Sequence, residues 1–127
     1  MDYSSASQRL QTIKKYIADR VASSKSGQSP DEMFKHAEKL TTYFAKDGVL
    51  IDSDKHSHTG TELFRYFRSQ QPEPSSISEP QLLSDGRFQL EFSVWKMFKY
   101  WPIRAYFTFQ PDSNLIQKLE IERQGFF

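Results

Sequence analysis

Apolar residues recur at helical spacing through the early part of the chain and alternate with polar ones through the later part, a pattern of helices followed by strands. From Ser4 to Ser24, residues Ala6, Leu10, Ile13, Ile17 and Val21 fall on one face, with Lys14, Lys15 and Arg20 off it, which predicts a first amphipathic helix. Ser29, Pro30 and Glu32 supply an N-cap, a first helical residue and the closing member of a capping box. Met33, Phe34, Ala37, Leu40, Thr41 and Phe44 carry the stripe on to Lys46-Asp47-Gly48, so a second helix is predicted over 30–46. Val49-Leu50-Ile51 reads as a short strand and Ser53–His58 as a polar loop. Thr59–Glu62 reads as a second capping box, opening a helix through Leu63, Phe64 and Phe67 that Pro72 and Pro74 stop.

The remainder predicts sheet: a strand within Ser76–Ser84, an Asp85-Gly86 turn, a long strand over 87–97, another over 103–110, and a last one ending near Arg123. Phe88, Leu90, Phe92 and Val94 share one face with Ile103, Ala105, Phe107 and Phe109, and with Leu119 and Ile121. The opposite face is polar apart from Trp95 and Tyr106, so one face packs on the helices and the other meets water. The class expected is α+β: three N-terminal helices with a short strand, packed on a strongly curved, mostly antiparallel sheet.

The chain has 127 residues, the size of one domain, so 1–127 is read as a single unit with residues 1–5 disordered. Seventeen basic residues against sixteen acidic ones lack the lopsided charge of a duplex-binding domain, and no nucleic-acid partner is expected. The absence of cysteine removes disulfides, thiolate nucleophiles and cysteine-based zinc sites. Met1–Ser7 has no apolar signal core and no eighteen apolar residues run together, so the expectation is a cytoplasmic protein with no membrane partner. No phosphate-binding or dinucleotide fingerprint, HExxH or nucleophile elbow is present, and no cofactor or metal is predicted.

The order helix, helix, short strand, helix and long antiparallel strands, with Tyr43-Phe44-Ala45-Lys46-Asp47-Gly48-Val49-Leu50-Ile51-Asp52 and then Gly60-Thr61-Glu62-Leu63-Phe64-Arg65-Tyr66-Phe67, resembles the nuclear transport factor 2-like superfamily. That group includes ketosteroid isomerase and the SnoaL-like cyclases. The resemblance covers nearly the whole chain and implies a cone-shaped half-barrel open between helices and sheet, often dimeric through the outer sheet face. Members differ widely in activity, so the fold does not select one.

Asp52 falls where the resemblance places a catalytic base, and Tyr16 where it places an oxyanion-binding tyrosine; a carboxylate base beside neutral hydrogen-bond donors is a known way to move a proton. Ala105 stands where those isomerases carry a second, protonated acid, so half of that oxyanion hole is missing. Read from the residues alone, Asp52 is a loop carboxylate capping a turn or pairing with Lys55, and Tyr16 a helix-edge ring with its hydroxyl in water. Were the pocket a working one, burial beside apolar residues would raise the Asp52 pKa toward the range of a general base. Phe44, Phe64, Phe67, Phe92, Ala105 and Phe107 are the expected ligand-binding wall. His56 and His58 read as solvated loop residues without a third metal ligand, and His36 as helix surface.

Trp95, Tyr106 and Trp101 are the expected interface residues, in a stretch from Trp95 to Pro102 that interleaves rings and cations. Gly125–Phe127 is expected along a sheet edge or a dimer contact. Two functions follow: a pocket protein for a small apolar ligand, with isomerase- or dehydratase-like proton transfer implied by the resemblance, or a non-enzymatic domain that forms a homodimer or binds a partner through the outer sheet face.

Overall fold

The computed structural model describes residues 3–124, with side chains from Ala6 onward; the expectations for residues 1–5 and 125–127 concern positions outside these, apart from the backbone of α1 from Tyr3. Helices α1 (Tyr3–Ser23) and α2 (Pro30–Thr41) come first. Strands β1 (Phe44–Ile51) and β2 (Ser57–Thr59), helix α3 (Thr61–Arg68), and strands β3 (Pro74–Ser75), β4 (Gln81–Leu82), β5 (Phe88–Lys96), β6 (Lys99–Phe109) and β7 (Ile116–Arg123) follow. The sheet runs β2-β1-β7-β6-β5-β3 with β4 also on β5; among the described residues β1 with β7 is its single parallel pair. Among the described residues no helix is long and apolar enough to cross a membrane.

The capping box that opens α2 forms as read: the Ser29 hydroxyl accepts from the Glu32 N–H and the Glu32 carboxylate accepts from the Ser29 N–H. The helix ends earlier than its apolar stripe suggests. Phe44 pairs with Ile116, and the Ile116 N–H donates to the Tyr43 carbonyl at 2.8 Å, so the backbone of 44–48 belongs to the sheet and Gly48 stops no helix. Its place is instead a bulge in β1, where Cβ would lie 2.8 Å from the Ile116 carbonyl oxygen. The second expected capping box does not form. Gly60 is the N-cap of α3 with no side-chain bond, and Glu62 turns to Arg65 at 2.9 Å.

Ser57 and His58, read as loop, form a strand with Thr59 because β1 offers an unpaired edge: Leu50 pairs with His58 and Ile51 with Ser57. The strand expected within Ser76–Ser84 is two short edge pieces, of which β3 begins at a proline, a residue that edge positions tolerate. β5 and β6 join through Met97 and Phe98, both at positive φ (54° and 64°), the geometry of a tight two-residue hairpin. Without glycine or asparagine there, the pattern hid the turn and β6 starts at Lys99, four residues earlier than expected.

The alternation of faces holds. Phe88, Leu90, Ala105, Phe107, Phe109 and Leu119 are buried under α1, α2 and α3 together with Ile13, Leu40, Leu50, Leu63 and Phe67. The face that α1 turns inward is rotated from the one its aliphatic residues define: Arg9, Ile13, Tyr16 and Arg20 are its buried positions, while Leu10 and Ile17 are only partly covered. Arg20 is therefore inside, contrary to its sequence assignment.

Candidate ligand-binding site

The concave face of β5, β6 and β7 does not close completely on α1. Between them lies a cavity of about 180 Å³ whose floor is Leu90, Phe92, Ile103, Ala105, Phe107 and Ile121. Tyr16 and Arg20 from α1, Tyr66 from α3 and Gln71 beyond it form a polar wall, and Lys96, Met97, Trp101 and Arg123 also line the cavity. The floor follows from strand alternation; the polar wall follows from helical spacing, since Ile13, Tyr16, Ile17 and Arg20 recur every three or four residues.

Tyr16, read from the residues as a ring at the water's edge, is 3% exposed and meets Tyr43, Phe44, Phe67 and Phe107 edge-on at 5.8–6.4 Å. Burial pushes its hydroxyl pKa far above the ordinary value against the pull of the Arg20 guanidinium beside it, so the phenol stays a neutral donor. Tyr66 is raised by the same burial, with Arg20 opposing and the Asp52 charge assisting. Arg20 lies 5.9 Å from the Phe67 ring centroid, and its Nη1 reaches the Ser23 hydroxyl at 3.5 Å.

Asp52, the residue after β1, does not line the cavity; its neighbour Ser53 does. Its Oδ1 accepts from the Asp54 and His56 N–H groups at 2.9 and 3.0 Å, and its Oδ2 meets His58 Nε2 at 2.8 Å. Desolvation pushes its pKa up, yet these bonds outweigh it and hold the carboxyl below its ordinary value, the reverse of what a general base requires. His58 is no solvated loop residue: its ring packs on Tyr66 at 4.8 Å. Asp52, His58 and Tyr66 thus form a chain of contacts ending at the cavity wall. Among the described residues no group of three acidic, histidine or cysteine side chains could hold a metal ion.

Of the expected ligand wall, Phe92, Ala105 and Phe107 line the cavity. Phe44 and Phe67 pack behind Tyr16, and Phe64 pairs with Phe34 at 5.1 Å outside it. Of the expected interface residues, Trp95 is 54% exposed on the outer face and meets Tyr100 at 4.8 Å. Tyr106 is covered by Arg87, 4.5 Å from its centroid. Trp101 shares the parity of Ile103 and so turns inward to the cavity mouth, where its Nε1 donates to the Lys96 carbonyl at 2.7 Å. Arg20, Tyr66 and His58 escaped the sequence reading of the site, although the helical spacing of Arg20 from Ile13 and Tyr16 already pointed inward.

Helices closing one end of a curved sheet over a side-opening cavity define a cone-shaped α+β class. The particular fold is the nuclear transport factor 2-like one, shared with ketosteroid isomerase-like proteins. A protein from Sphaerobacter thermophilus superposes with TM-score 0.70 at 16% identity, over 90% of this chain and 94% of that one. An NTF-2-like protein of unknown function from Pseudomonas aeruginosa gives 0.64 at 12% identity, over 91% and 97%. A ketosteroid isomerase-like fold from Catenulispora acidiphila, solved in complex with trimethylamine, gives 0.50 at 14% identity, over 67% and 72%. No protein-family model matches the sequence, and no curated protein is significantly similar to it.

Proposed function

We propose that this chain binds a small molecule with an apolar body in the cavity between α1 and the concave sheet. The observation that carries the reading is an apolar floor facing a polar wall across about 180 Å³ of space. That volume is below the roughly 300 Å³ usual for drug-sized ligands and just above the roughly 150 Å³ that suffices for benzene in a dry cavity, so the ligand is a single ring or a short chain. A small molecule in the Catenulispora protein supports the fold's ability to hold one. Binding, rather than Asp52-driven proton transfer, is the reading preferred: Asp52 is committed to two backbone N–H groups and to His58, and it holds that ring against Tyr66.

The test is a thermal-shift and NMR titration with benzene and benzyl alcohol. Binding should raise the melting temperature with ligand concentration and shift the Ala105 and Ile103 methyl signals. Ala105→Leu, which fills the floor, should abolish both effects. Absence of any shift at millimolar ligand would overturn the reading.

A second reading, a homodimer or partner contact through the outer sheet face, rests on Trp95 and Tyr100, 54% and 60% exposed and paired edge-on. The rest of that face is less suited to it, with Arg87 laid over Tyr106 and ion pairs from Arg87 and Lys118 to Glu120.

A further inference from the structure

We infer that the ligand of this cavity carries a carboxylate and that Arg20 is the residue that recognises it; the inference rests on the pocket reading and names the chemistry of its occupant. Two arginines on α1 are buried, each 8% exposed, and they differ in how their donors are used. Arg9 reaches the turn after β6, where its Nη2 donates to the carbonyls of Gln110, Pro111 and Ser113 at 2.9, 3.2 and 3.1 Å. A guanidinium in such a cradle is structural. Arg20 has five donors of the same kind, but its partners are the Ser23 hydroxyl at 3.5 Å and the Tyr16 hydroxyl beside it. No carboxylate of the described residues lies within ion-pair distance of it.

The carboxylates on neighbouring segments are taken. Asp19 pairs with Lys39 and accepts from the Tyr43 hydroxyl, Asp52 holds His58, and Glu73 pairs with Lys25. None of the residues lining the cavity is acidic, whereas Arg20, Lys96 and Arg123 are all basic. A buried cation without a counter-charge is costly, and an anion supplied by the ligand removes that cost. No nitrogen of Arg20 is sealed in the packing without a partner, and the residue is part of the cavity lining.

The two phenols complete the arrangement. Neither Tyr16 nor Tyr66 spends its hydroxyl on a carboxylate among the described residues, as Tyr43 does on Asp19, and burial keeps both protonated as donors. A planar guanidinium fork flanked by two phenols suits the planar two-oxygen acceptor of a carboxylate, with the apolar body over Phe92, Ala105 and Phe107. The cavity's size limits that body to about one ring or a short chain.

The experiment titrates the intact protein with benzoate and with its neutral isostere benzamide, read by Trp101 fluorescence and NMR, with benzyl alcohol as the probe of the pocket itself. Benzoate should bind at least about tenfold more tightly than benzamide, since charge-assisted hydrogen bonds are the stronger kind. Arg20→Gln should erase that preference, and Arg20→Lys should keep part of it. If benzyl alcohol binds but benzoate shows no advantage over benzamide in the wild-type protein, the anion inference fails and the pocket reading stands. Should none of the three bind, both fail. A benzoate preference that survives Arg20→Gln also overturns the role of Arg20. The wild-type comparison decides the ligand's charge even if a variant does not fold.

Discussion

Replacing Phe107 and Phe92 by alanine, one at a time, separates the fully packed part of the cavity floor from its partly exposed part. Both lie on the inward face of adjacent strands, but Phe107 is 0% exposed, sits edge-on to Tyr16 at 5.8 Å and pairs across the sheet with Phe88 and Leu119, themselves buried. Phe92 lines the same cavity but is only partly buried. Truncating a packed phenylalanine costs about 3 to 5 kcal/mol, of which the aromatic pairing contributes roughly 0.5 to 1.5. A ring that is already partly exposed has fewer contacts to lose, so Phe92→Ala should cost about 1 to 2 kcal/mol. For 127 residues the unfolding entropy is roughly 0.27 kcal/mol/K, so each kcal/mol lowers the midpoint by about 4 °C. Phe107→Ala should therefore melt about 11 to 19 °C below the wild type, and Phe92→Ala about 4 to 7 °C below it. Urea titrations followed by circular dichroism, with the slope m unchanged, give the same ordering in free energy. Equal losses, or a larger loss for Phe92→Ala, would mean that the floor is closed in solution and that the cavity argument fails. Phe107→Leu against Phe92→Leu repeats the ordering if the alanine variants are too unstable to purify.

Other consequences follow from single contacts. Gly48→Ala places Cβ 2.8 Å from the Ile116 oxygen, 3.0 Å from the Ala45 oxygen and 3.2 Å from Phe44 Cβ, backbone and near-backbone atoms that cannot swing aside, so about 1 to 3 kcal/mol should be lost in a denaturant series; a neutral result would show that the β1 bulge relaxes freely. Asp52 has a pKa held below its ordinary 3.8, so its stabilising contribution is complete above that value and is lost as pH falls through the lower folded-state value. The stability difference between wild type and Asp52→Asn should be flat above about pH 5 and shrink below pH 4; curves that stay parallel through the acid limb would show that the bonds to His58 and the two N–H groups do not persist in solution. If the outer face makes a dimer, sedimentation should show association that Trp95→Ala with Tyr100→Ala abolishes, and a monomer at every concentration would remove that reading.

Where a local signal had no competitor, the sequence alone was sufficient. The Ser29–Glu32 capping box needs only four consecutive residues, and the alternation of Phe88, Leu90 and Phe92 and of Ile103, Ala105 and Phe107 assigns faces whatever the strands pair with. The three-helix, curved-sheet class and the presence of Phe92, Ala105 and Phe107 beside the site follow from those signals. Other features waited on partners distant in the chain. Phe44 fits a helical stripe until Ile116 and Tyr43 bond across more than seventy residues and draw it into β1, and Ser57–Thr59 is a strand only because β1 has a free edge. Arg20 reads as solvent-facing because it is charged, yet the packing of α1 on the sheet rotates it inward beside Tyr16. Asp52 spends a carboxylate oxygen on His58, a partner that pairing of β2 with β1 brings to the same face. Burial and hydrogen bonding thus decided the chemistry of this site, because both depend on which segments meet, and periodicity along one segment carries no record of that.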